Sequence, residues 1–158
     1  MQRFAVQDEL PKMRILIVLT YYRPHYSGLT IYTERLARGL ARLGNQVTVL
    51  TSRFDPDLPE QEMRDGVEVI RPAVAFHLSK GVIMPSMPLW AIKLIRQVDV
   101  VNLHLPQMDA MYISWLARLA GRKVVTTYHC DLTLPRGVIH WIANQGAHLA
   151  SHLTALAS

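Results

Sequence analysis

Residues 13–44 read MRILIVLTYYRPHYSGLTIYTERLARGLARLG, and this stretch decides the fold. Ile15 to Leu19 is an unbroken apolar run rich in branched side chains, the pattern of a strand buried on both faces of a parallel sheet. From Leu29 the period changes. Leu29, Tyr32, Leu36, Leu40 and Leu43 recur at three- and four-residue spacing, the stripe of an amphipathic helix. Arg35, Arg38 and Arg42 fall on the other side, and Glu34 stands four before Arg38, placed to pair with it. Gly44-Asn45 supplies a residue able to take the left-handed conformation that closes a helix. The unit is therefore strand, loop, helix, with Gly28 as the loop's one glycine, at the helix start. A helix start exposes unpaired N–H groups and the positive end of the helix dipole. A glycine there lets an anion or a sugar approach the main chain. It can equally serve only to make a turn, and the loop by itself does not choose between the two.

The alternation continues along the chain. Gln46 to Thr51 reads as a second strand, three residues after the helix, as in a βαβ unit. Ser52 to Gly66 is a polar stretch with Pro56 and Pro59, expected to be a mobile loop. Val67 to Arg71 alternates apolar and polar, a short half-exposed strand ended by Pro72. Ala73 to Pro88 shows no clean period. Leu89 to Gln97 reads as a helix, Asp99 to His104 as a buried strand, Gln107 to Leu119 as a helix stopped by Gly121, and Lys123 to Tyr128 as a strand. Gly137 to Ala150 reads as a helix and His152 to Leu156 as a last short strand. Strands alternating with helices make an α/β domain, Rossmann-like, with a mostly parallel sheet flanked by helices on both faces.

Composition narrows the class. The 158 residues fit one domain, 50% hydrophobic and 18% charged, with a formal net charge of +5. The lone cysteine, Cys130, excludes an internal disulfide and is compatible with a reducing compartment. No apolar run is long enough to span a bilayer. Residues 1–12, MQRFAVQDELPK, lack the apolar centre of a signal peptide and read as a flexible leader, so a cytoplasmic location is expected. The basic residues are scattered, with no basic stretch interleaved with aromatics, so nucleic acid is not the expected partner. The helix around Trp90 carries Lys93 and Arg96. Such a helix either lies on a membrane surface or packs on the sheet with exposed cations, and peripheral membrane contact stays open on this pattern.

In an open parallel sheet, ligands bind outside the carboxyl ends of the strands. Here the first strand leads into Tyr21, Tyr22, His25, Ser27 and Gly28. The strand from Asp99 ends at His104, and the strand from Lys123 ends at His129 and Asp131. Three of the seven histidines thus fall on one rim. Imidazole can donate and accept hydrogen bonds, which suits sugar hydroxyls and phosphate oxygens, and Asp131 can accept from a hydroxyl or hold a histidine tautomer. Three histidines could also bind zinc, but none sits in a tight ligand motif, so no metal is expected. His148 and His152 read as an exposed pair near a helix end. GxGxxG after the first strand, GxxxxGK[ST] and GxSxG are all missing, which sets aside the dinucleotide fingerprint, the P-loop and the nucleophile elbow. Cys130 reads as structural, since chain neighbours such as His129 rarely aim at one another.

Taken in order, MRILIVLT, the loop Pro-His-x-x-Gly, TERLARGLARLG, QVTVLTS, DVVNLH, VVTTYHCD and AHLASHLTALAS resemble the N-terminal half of a GT-B glycosyltransferase of the large retaining family 4 (group 1). The resemblance runs from about Met13 to Ser158. It implies that Gly28 matches the second glycine of the family's Gly-Gly loop near donor phosphates and acceptor, with Ser27 where the first is usual. It implies that His104 lines the catalytic cleft near the transferred sugar, with Asn102 in place of the segment's other histidine. His129 and Asp131 match the T-x-H-x-D segment on the acceptor side. The implied site is therefore His104 as the catalytic residue, with Tyr22, His25, Ser27, Gly28, His129 and Asp131 toward the substrate. The implied partners are a nucleotide-sugar, as co-substrate rather than cofactor, and a saccharide or lipid-linked acceptor hydroxyl. The C-terminal donor-binding domain, which resides outside residues 13–158, would complete the cleft. On this expectation the isolated chain is inactive. The rival expectation is a stand-alone sugar- or nucleotide-binding module, or a non-catalytic partner subunit.

Overall fold

A computed structural model describes residues 12–78, 81–105, 107 and 109–129. The run from Ile15 forms β1 (Arg14–Val18), and α1 (Gly28–Arg42) follows the loop. Then come β2 (Gln46–Leu50), β3 (Gln61–Arg64), β4 (Val67–Ile70), β5 (Phe76–Leu78) and β6 (Gly81–Ile83). The rest is α2 (Met87–Ile95), β7 (Val100–Leu105), α3 (Ala110–Leu119) and β8 (Lys123–Tyr128). Six strands form one sheet in the order β3-β4-β2-β1-β7-β8, parallel throughout except for β3, and β5 pairs with β6 in a separate two-stranded sheet.

β1 lies at the middle and feeds both faces. Ile15, Ile17 and Leu19 point into a core shared with Val47, Val49, Val67, Val69 and Ala37 of α1. Leu16 and Val18 point the other way, into a core built with Ala91, Leu94 and Ile95 of α2 and Ala110, Ile113 and Ala117 of α3. Alternate residues of a strand face opposite sides, so an unbroken apolar run is what a two-faced sheet requires. Gly44, at a φ of 88°, closes α1: its amide donates to the Ala41 carbonyl and that of Asn45 to the Leu40 carbonyl.

Several expectations change. The inward face of α1 is Thr30, Thr33 and Ala37, flanked by Leu29, Leu40 and Ala41, so the helix is rotated from the leucine stripe. Tyr32 is 46% exposed and Leu43 74%. Small side chains let the helix sit close on the sheet, which outweighs the larger apolar area of the outer positions. Glu34 does not pair with Arg38. It takes Arg23 of the preceding loop at 2.6 Å, and Arg38 reaches Asp65 at 3.6 Å. The stretch Ser52–Gly66 is not all loop, because β3 pairs antiparallel with β4 across the turn Asp65-Gly66, both at positive φ. Ala73–Pro88 holds the β5–β6 hairpin and the start of α2. α3 begins at Ala110 rather than Gln107. The helix and strand expected over 137–150 and 152–156, with Cys130, lie outside the described residues.

Candidate functional site

The parallel strands end together at one rim, and the β1–α1 loop crosses it. That loop is tied down at several points. The Thr20 carbonyl accepts from the Ser52 amide and from the Thr51 and Ser52 hydroxyls. Arg71, wholly buried just past β4, donates to the carbonyls of Arg23 (3.1 Å) and Pro59 (3.3 Å) and to the Glu62 carboxylate. Arg23 in turn bonds Glu34 on α1 through two guanidinium nitrogens and lies over the Tyr26 ring, 4.1 Å from its centre. Desolvating a guanidinium is costly, and these acceptors satisfy Arg71 Nη1 and Nη2, while its Nε has no partner among the described residues; the contacts tie the loop path to the end of β4. The path ends in a capping box: the Thr30 amide donates to Ser27 Oγ and the Ser27 amide to Thr30 Oγ1. A Cβ built on Gly28 meets nothing within 4 Å, so packing does not demand a glycine there.

On the other side of β1, parallel register sets His104 opposite Thr127, and the chain continues one step past β8 to His129. Leu103 faces the α2–α3 core, so His104 takes the α1 face, together with Asn102, Thr127 and His129 at period two. His104 Nδ1 and His129 Nε2 lie 2.8 Å apart. Tyr32 of α1 packs edge-on against both rings, with centres 5.9 Å from His104 and 5.1 Å from His129. The Thr127 hydroxyl donates to Asn102 Oδ1. His104 is 0% exposed, and its Nε2 has no partner among the described residues. Burial, and secondarily the neighbouring His129, pull His104 down to about 4, and burial lowers His129 as well. Both rings are neutral at neutral pH.

The expected residues thus separate. His104 and His129 come together. His25 goes elsewhere, stacked on Tyr21 with ring centres 4.8 Å apart and bordered by Phe54. Tyr22 is 2% exposed inside the α1-side core, and burial is the main reason its hydroxyl is pushed up to about 12. Ser27 and Gly28 are at the start of α1. Asp131 lies outside the described residues. On the sequence, Tyr32 counts only as part of the helix stripe and Asn102 only as the residue in place of the family segment's other histidine, neither as a site residue. Asn102 was findable as the residue two before His104, hence on the same face, and Tyr32 as a residue one turn from the helix start at the rim.

The sequence model of Glycosyltransferase Family 4 matches residues 26–157. The chain belongs to that family. The family 4 chain is 29% identical over 116 residues to an uncharacterized glycosyltransferase of Methanocaldococcus jannaschii, covering 71% of this chain and 27% of that protein. Its fold matches a sucrose-phosphate synthase from Thermosynechococcus elongatus with a TM-score of 0.52 at 15% identity, over 86% of this chain and 40% of that one. The α/β, Rossmann-like fold and the GT-B N-terminal-domain resemblance therefore hold. The chain spans about a quarter of the length of the curated relative it matches. Among the described residues of this family 4 domain, no three His, Cys, Asp or Glu side chains are gathered to hold a metal, and no helix is long and apolar enough to cross a membrane. A cavity lined by Arg14, Gln46, Thr48 and Glu68 opens at the amino ends of the strands, the end of an open α/β sheet away from the ligand rim.

Proposed function

We propose that this chain is the acceptor-side half of a retaining glycosyltransferase, which moves a sugar from a nucleotide-sugar to an acceptor hydroxyl. The observation that carries the reading is His104: a wholly buried, neutral imidazole at the carboxyl rim, with an unpartnered Nε2. A neutral ring suits a sugar hydroxyl, and the nearby start of α1 suits a phosphate by its N–H groups and dipole. Nε2 is closed to solvent, so a hydroxyl reaches it only if side chains over it move aside. No metal or cofactor enters this scheme; main-chain N–H groups and cations would stabilise the departing phosphate. The protein would act in the cytoplasm, with the acceptor saccharide or lipid-linked. The relative's greater length supports a second, donor-binding domain elsewhere in the whole protein, and with it an inactive isolated half.

The test uses the whole protein and a panel of nucleotide-sugars, with release of nucleoside diphosphate as readout. His104→Ala is expected to lower turnover by about 100-fold or more while the circular dichroism spectrum stays native. Turnover near the unaltered level would refute the placement of the site. A native mass equal to the 18.0 kDa of this chain would favour the stand-alone module instead.

A further inference from the structure

Two neutral imidazoles joined by one hydrogen bond can hold their two protons in only two ways. In one, His129 Nε2–H donates to His104 Nδ1, and the proton of His104 sits on Nε2. In the other, His104 Nδ1–H donates to His129 Nε2, and the proton of His129 sits on Nδ1. The 2.8 Å separation admits both. Their surroundings do not treat them alike.

His104 is fully buried, and its Nε2 has no partner among the described residues. The first arrangement therefore strands an N–H where nothing among the described residues accepts it. The second leaves a bare lone pair at that point and places the remaining N–H on His129, which is partly exposed and within reach of water. Orphaned buried donors are rarer in folded proteins than under-used acceptors. Tyr32 packs edge-on against both rings, and its hydroxyl is not a partner of His104 Nε2, so it leaves this balance unchanged.

We propose that His129 is a positioning residue that holds His104 in the Nδ1–H tautomer, so that His104 Nε2 is a hydrogen-bond acceptor reserved for a donor group, of which a sugar hydroxyl is the class that fits the proposed reaction. That last clause rests on the glycosyl-transfer reading; the tautomer does not. His129 then acts through its neighbour rather than by touching the substrate with Nε2, which is already in use. An acceptor-only group such as a carboxylate has nothing to offer the lone pair and would be repelled, whereas a hydroxyl or amide donor would be taken.

The experiment is a long-range proton–nitrogen correlation spectrum of the 15N-labelled chain at neutral pH, which reads the protonated nitrogen of each histidine. His104 is expected to be protonated at Nδ1 and bare at Nε2, with His129 protonated at Nδ1. His129→Gln is expected to keep the His104 pattern, because the side-chain carbonyl can accept from Nδ1–H at the place Nε2 held. His129→Ala is expected to lose it and give a mixture of tautomers. A native chain with His104 protonated at Nε2 overturns the proposal, and so does an alanine variant that keeps the native pattern. If the alanine variant does not fold, the native spectrum and the glutamine variant still decide. Failure of glycosyl transfer in the whole protein would leave this result untouched, so the two readings fail separately.

Discussion

Lowering the pH should destabilise this domain through His104, and the size of the effect follows from its burial. The unfolded chain takes up a proton at this histidine near 6.5, whereas the folded chain resists until about 4. Between those values the unfolded state binds more protons, so stability is full above the window, falls as pH drops through it, and levels off below. The whole gap corresponds to about 3 kcal/mol, of which about 2 kcal/mol is lost between pH 7 and 5. His129, also lowered by burial, adds in the same direction. Asp109, raised by burial, acts with the opposite sign, and Asp99, held at about 2 chiefly by its hydrogen bond from Arg14, begins to matter only in stronger acid. Urea unfolding followed by circular dichroism at pH 7, 6 and 5 reads the loss. In His104→Gln, which cannot titrate, the fall should shrink by about 2 kcal/mol. An equal fall in both proteins, or a His104 that titrates near 6.5 by NMR, would refute the reasoning.

Arg71→Met keeps the bulk of the side chain but leaves the Arg23 and Pro59 carbonyls and the Glu62 carboxylate without their donor. Glu62 retains some solvent, so a loss of about 3 kcal/mol is expected in urea unfolding, against about 1 kcal/mol for Glu62→Gln, which preserves an acceptor. Gly44→Ala should cost about 1 kcal/mol in the same assay, because φ is 88° and the new Cβ meets the flexible Lys12 side chain at 3.3 Å.

The strands of the sheet interior were legible because burial on both faces leaves a composition nothing else produces: Ile15–Leu19 and Val47–Leu50 could hardly be anything else. β3 escaped notice because Gln61-Glu62-Met63-Arg64 is an edge strand with little to bury. Its turn carried a signal all the same, since Asp65-Gly66 is a favoured two-residue hairpin pair and both residues adopt positive φ. The rotation of α1 was hidden because periodicity weighs apolar side chains, whereas threonine and alanine made the close contact. At the site, strand ends correctly named His104 and His129 as rim residues. Their mutual hydrogen bond depends on the register of β7 against β8, and register is a three-dimensional quantity that a single chain does not display. Arg71 could not be found at all, because an arginine after a strand ordinarily points to water.

The position of β1 between β2 and β7 also bears on how the chain assembles. The Met13 amide meets Asn45 across 32 residues, whereas the Arg14–Asp99 pairs on the β7 side span 85. Closing the longer loop costs about 0.9 kcal/mol more in chain entropy. Among the described residues, the buried members of the α1-side core lie within 15–69, while those of the opposite core reach from Leu16 to Ala117. The shorter closure yields half a sheet with one face already covered, and its other face, Leu16, Val18, Leu50 and Ile70, stays bare until α2, β7 and α3 arrive. On a ribosome, that apolar face would be the interval of greatest exposure in the life of the domain.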